Sequence, residues 1–148
     1  MKSLVVIRIF RNRHLFRYCV ESLLELTVWK ILILCLPFRR WSRWSGRFQS
    51  ETLKENRLRE LRVLRSISRS IQISSQLIPW RSKCLDQALA AQDMLARRKL
   101  PSTVYYGMVK DDTGKWLAHA WVRCGDQWVI GHHPQKQYTV VGSYAKVL

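Results

Sequence analysis

Acidic residues are what this chain has least of. Its 148 residues hold 26 lysines and arginines against 10 aspartates and glutamates, a formal net charge of +16. Such a surface draws anions, whether nucleic acid, anionic lipid or an acidic peptide or protein, and does not choose among them. A C-x-x-C pair is also missing. Cys19, Cys35, Cys84 and Cys124 are widely spaced, which argues against a disulfide framework or a zinc ribbon and points to a reducing cytoplasm. Among Cys84, Cys124, His119 and His132 no pair stands at i,i+3 or i,i+4, so zinc is set aside and no cofactor is implied. A secretory signal is absent, because the apolar run 4–7 is cut at Arg8. Residues 15–36 are strongly apolar, but Arg17, Glu21, Glu25 and Lys30 interrupt them, whereas a membrane span needs about 20 predominantly apolar residues. There is no internal repeat and no low-complexity segment. The length suits one compact domain.

What is present divides into a helical half and a strand-like half. Val20, Leu23, Leu24, Val28, Ile31 and Cys35 recur at helical spacing. A buried helix is expected over 15–36, with a helix lying on a membrane surface as the alternative, which would make a cytoplasmic protein membrane-associated. Pro37 stops it. Residues 38–48 interleave arginine with aromatic rings. They could stack on bases and hold phosphates, or form a linker with rings on the core and guanidiniums in water. No nucleic-acid module surrounds them, which disfavours nucleic acid as a partner. Residues 1–50 thus read as a helical region with a basic aromatic linker, and 51–148 as the core. A second helix is expected over 51–78, with Leu58, Leu61, Leu64, Ile67, Ile71 and Ile78 on one stripe and Glu55–Arg59 as a favourable i,i+4 pair. Pro79 closes it. A third helix starts at Cys84 and runs to about Lys99. Strands are expected over 102–109, 116–124, 127–130 and 138–141, with turns at 111–114 and at Gly125 and Asp126. Helices followed by an antiparallel meander make an α+β fold.

Two residues carry the chemistry. Cys84 falls in the first turn of a helix beside Lys83 and Arg81, and helix starts and nearby cations both favour a thiolate. Its plainer role is a small core residue. His119 lies in a strand on one face with Leu117, Trp121 and Arg123. It could take the thiol proton and later protonate a leaving amine, or be an ordinary core histidine. A third group should orient the imidazole. With Gly125 and Asp126 as a two-residue loop, the register carries His132 opposite His119, and a one-residue slip carries Gly131 there instead. His132 is the tentative third member, its other reading being an exposed loop residue. His133 is expected to point away.

These residues carry a resemblance. Pro79, Trp80 and Arg81 before Cys84 and Leu85, the alanine-rich helix ending in Leu95, Arg97 and Arg98, and the hairpin from Tyr106, Gly107 and Met108 through Ala118, His119, Ala120 and Trp121 look like the lasso-peptide maturation protease family. The apolar helix ending in Leu36, Pro37 and Phe38 resembles that family's short stand-alone form. The resemblance implies a papain-related, transglutaminase-like core, a catalytic helix packed on a small antiparallel sheet. It implies a cysteine protease that removes the leader from a ribosomally made precursor peptide, microcins included, with Cys84 as nucleophile and His119 as general base. It also implies a separate leader-recognition protein and an asparagine-synthetase-like lasso cyclase as partners. Many members carry an acid about a dozen positions after the histidine, where this chain has Gly131, His132 and His133. The alternative is a catalytically weak or inactive scaffold that binds the precursor or its recognition partner.

Overall fold

The computed structural model describes residues 12–134 and 137–147; the apolar run 4–7 lies outside them. Helix α1 (Arg13–Cys35) is capped by the Asn12 side chain, which accepts from the Leu15 N–H at 3.2 Å. It ends where Leu36 turns extended ahead of Pro37. Its inner face buries Leu15, Tyr18, Cys19, Ser22, Leu26 and Trp29, so the stripe expected to be buried is corrected: Val20, Leu24, Val28, Ile31 and Cys35 lie on the exposed side. Small residues let it approach α3 (Leu61–Leu77): the Ser22 and Ser74 hydroxyls meet at 2.6 Å, and Ser74 also donates to the Cys19 carbonyl.

The basic aromatic segment folds into α2 (Phe38–Trp41), a 3₁₀ turn and β1 (Arg47–Phe48). Trp41 is buried edge-on against Trp29 and Phe38, at 6.4 and 4.8 Å between ring centroids. Arg39, Arg40, Arg43 and Arg47 face solvent. The linker arrangement of ring on core and guanidiniums in water thus holds at Trp41, while Phe38, Trp44 and Phe48 stay about half exposed.

The second helix is shorter than its apolar spacing predicts. It begins at Leu61 after a 3₁₀ turn at Leu58–Glu60, and Leu58 is exposed. Residues 51–57 form a strap tied to the sheet. Thr52 bonds Thr103 through both its N–H and its hydroxyl, and Arg57 N–H donates to Asp126 while Asp126 N–H donates to the Glu55 carbonyl. These long-range bonds take backbone groups a helix would have used. The expected Glu55–Arg59 pair gives way to Arg57 with Glu55 and Glu60.

Helix α4 (Cys84–Arg97) is capped from within: the Asp86 carboxylate accepts from the Lys83 N–H at 3.1 Å and faces Lys30 at 3.7 Å. Lys99 adopts a left-handed φ of 56°, and the Leu100 N–H returns to the Leu95 carbonyl, closing the helix. Arg97 and Arg98 clamp α4 to α1 by pairing with Glu21 and Glu25. Partial burial opposes ionisation of Glu21, but Arg98 and Arg97 outweigh it and hold the carboxyl below its ordinary range.

The sheet is antiparallel throughout, in the order β1-β5-β2-β3-β4, with β2 Ser102–Lys110, β3 Trp116–Cys124, β4 Gln127–Ile130 and β5 Thr139–Lys146. The α+β class agrees with the sequence expectation, but the expected meander is corrected: only β2, β3 and β4 follow one another, and β5 crosses back to pair with β2 instead of β4. Strand β1 was not expected, and it lengthens the sheet on the β5 edge. Val104, Tyr106, Ala120, Val122 and Cys124 turn one face into the main core, where they join Ala88, Leu89, Met94 and Leu95 of α4. One face is therefore covered by helices. The opposite face carries the histidine.

Candidate active site

Cys84 opens α4 and is half-buried, packed with Ile78 and Leu85 against the main core. As the first helical residue its N–H has no intrahelical carbonyl to meet. Alternation along β3 turns His119 to the other face of the sheet, with Trp121 and Arg123. There it borders an open cleft of about 400 Å³ whose walls include Glu51, Tyr105, Trp121, Trp128 and Tyr138. Cys84 is not among the described residues lining that cleft. Cys84 thus packs toward the helix-covered core, and His119 turns to the face that carries the strap.

The imidazole is firmly placed. Its ring stacks with Trp121 at 5.9 Å and with Tyr138 at 5.0 Å. Its partner across β2 is Gly107. A Cβ on Gly107 would come within 2.5 Å of the Trp121 ring and 2.9 Å of Tyr138 Cβ, so the aromatic stack exists because that position is bare. His119 Nε2 lies 2.5 Å from the Gly131 carbonyl oxygen. A carbonyl can only accept, so the proton of this bond sits on Nε2.

The position a dozen residues after His119 therefore does touch it, through the main chain. No acid could stand there in this backbone. Gly131 has φ 79°, and a Cβ would lie 2.5 Å from the Ala120 carbonyl oxygen and 3.1 Å from Trp121 Cα.

The expected pairing of His132 with His119 is corrected. Cys124 opposes Gln127 and Arg123 opposes Trp128, as the two-residue loop requires. A bulge then shifts the register, so that Val122 opposes Ile130. Beyond it His133, expected to point away, comes to 5.0 Å from the His119 ring. His132 instead lies flat on Trp128, with centroids 4.2 Å apart and planes at 4°. His132 and His133 both line the cleft, and both are exposed. Sequence reasoning missed the Gly131 carbonyl, His133 and the aromatic walls. The available signal was the density of Tyr, Trp and His on alternate positions of β2 and β3. Among the described residues no group of three or more His, Cys, Asp or Glu side chains could hold a metal ion.

The four thiols are unpaired and differ in reach. Cys19 and Cys124 are buried, and burial raises both thiols, Cys124 to about 11. At neutral pH the folded protein should alkylate at Cys84 and the exposed Cys35 and spare Cys19 and Cys124. Peptide mapping after brief iodoacetamide treatment checks this; early modification of Cys124 would contradict the packing described.

The candidate site thus consists of a helix-start cysteine, a strand histidine and an antiparallel sheet behind the helix. The family model of the transglutaminase-like superfamily matches residues 32–143, from the end of α1 into β5. The chain belongs to the transglutaminase-like superfamily. No curated protein and no solved structure matches it.

Proposed function

We propose that this protein is a cysteine hydrolase of the reducing cytoplasm that removes the leader from a ribosomally made lasso-type precursor peptide. The observation that carries the reading is a half-buried thiol in the first turn of α4, inside a transglutaminase-like domain. The Cys84 thiolate attacks the scissile carbonyl carbon. The resulting oxyanion takes a hydrogen bond from the Cys84 N–H, a donor the helix leaves unused. His119 carries the thiol proton to the departing amine, and the Gly131 carbonyl, by holding Nε2–H, orients the ring. A thioester remains, and water resolves it into the free carboxylate and thiol. The aromatic cleft is the surface on which the precursor rests, and the basic exterior suits an acidic leader or an acidic face of the recognition protein.

The separation of Cys84 from the His119 face adds a condition. Thiol and imidazole must be brought to the same carbonyl, and docking of precursor with its recognition protein is the event that does so. The same separation, with no carboxylate at position 131, favours one second reading: a scaffold that binds the precursor without cutting it. The two part in one assay. The purified chain is incubated with candidate precursor, alone and with the recognition protein and cyclase, and products are read by mass spectrometry. Cleavage at one bond, faster when the recognition protein is present, supports the hydrolase. Precursor binding with no product in either mixture establishes the scaffold.

A further inference from the structure

Helix α1 is apolar on two sides. Its inner face is buried, yet Val20, Leu24, Val28, Ile31 and Leu34 form a second stripe on the outer face, with Leu24 62% and Leu34 72% exposed. Spacings of four, four, three and three keep them on one side of the rod, with a helix of 23 residues running about 35 Å. A helix apolar all round is ordinarily covered all round, and exposed apolar patches mark contact surfaces. No helix among the described residues is long and apolar enough to cross a membrane.

What borders the stripe says what covers it. Arg13 and Arg17 stand exposed at one end, and Arg39, Arg40 and Arg43 just beyond the other. Phe38 and Trp44, each about half exposed, sit among the latter three, and aromatic rings beside arginines suit the headgroup level of a bilayer. The two carboxylates on the flank, Glu21 and Glu25, are engaged by Arg97 and Arg98. A second copy of the chain would press one +16 surface and its arginines against another. An anionic surface meets both the stripe and its charged ends.

We propose that α1 lies along the surface of an anionic bilayer, with Leu24, Ile31 and Leu34 in the acyl boundary and the flanking arginines on lipid phosphates. The helix rests on the membrane without spanning it, and the domain is carried at the cytoplasmic face.

The test is flotation of the full chain with phosphatidylcholine vesicles, with and without phosphatidylglycerol. Binding should be at least roughly tenfold tighter on the anionic vesicles and should weaken as salt rises. The double change Leu24→Gln and Ile31→Gln removes exposed side chains only, so circular dichroism should be unchanged while vesicle binding falls at least roughly tenfold. With Cys84 replaced by serine, an environment-sensitive dye on the exposed Cys35, four residues past Ile31, should shift to the blue when anionic vesicles are added. Failure to float overturns the proposal. So does flotation that the double variant leaves intact, since that would assign binding to charge alone. A concentration-dependent dimer that the double variant dissolves would hand the face to a second copy and overturn it as well.

Discussion

Cys84→Ala should abolish precursor cleavage, with a fall in rate of at least about 10⁴-fold, and leave the fold standing. Removing a nucleophile takes away the covalent intermediate itself, and such losses reach about 10⁶-fold where the catalytic groups act as a unit. The change removes a single sulfur from a half-buried site at a helix start. Alanine is the best helix former, so the stability change should stay within about 1 kcal/mol. The pairing of outcomes makes the test sharp: lost cleavage with an unchanged denaturation midpoint assigns the thiol to chemistry. A variant that still cuts at a tenth of the native rate would remove Cys84 from the mechanism. The predicted dependence on the recognition protein must be kept in the assay, since the thiol and His119 do not share a cleft in the free chain.

Much of this architecture is legible in the residues. The ends of α1 follow from Asn12 and Pro37, and the β2-β3-β4 hairpins follow from β-branched and aromatic runs set off by turns at Asp111 and Gly125, whereas the return of β5 to the side of β2 has no local signal. The common face of His119, Trp121 and Arg123 follows from alternation. Three further features could not be read. The leucine spacing of α3 runs on to Leu58, and the strap 51–57 before it is held off a helix by bonds to partners distant in sequence and invisible to periodicity, among them Thr52 to Thr103 and Arg57 to Asp126. The bulge between Val122 and Arg123 leaves no mark in the alternation, and it exchanges the places of His132 and His133. The face that α4 covers was readable in part. Ala120 and Val122 are the small and branched residues on which a helix can lie, while the neighbouring histidine, tryptophan and arginine need room and partners on the other side. Sequence named the candidate groups but could not say on which side of the sheet each would stand.

Arg123→Ala should destabilise the protein by about 3–5 kcal/mol, the summed cost of leaving the buried Gly125 and Thr52 carbonyls and the Tyr105 hydroxyl without their donor. Arg123 is only 2% exposed. Its Nε donates to the Tyr105 hydroxyl at 2.9 Å, Nη1 to the Gly125 carbonyl at 2.5 Å, and Nη2 to the Thr52 carbonyl at 2.9 Å and the Glu51 carboxylate at 3.1 Å. Tyr105 closes the ring by donating to Glu51 at 2.7 Å. The Glu51 side chain is 51% exposed, so water screens the ionic part of this network. The larger share lies in the Thr52 and Gly125 carbonyls, which no smaller side chain could reach. These bonds fasten the strap, and the strap supplies Glu51 and Lys54 to the cleft. Losing them should therefore loosen the cleft wall as well as the fold. For a chain of about 150 residues the loss should appear as a fall of roughly 6–20 °C in midpoint. Arg123→Lys keeps the charge but not the planar fork, and should recover less than half of the deficit. Arg123→Met separates the causes: it fills volume without donors, so a variant as weak as alanine assigns the loss to orphaned carbonyls. A methionine variant as stable as the native chain would mean that burying the guanidinium costs as much as its bonds return, and the network would then serve strap geometry and not stability.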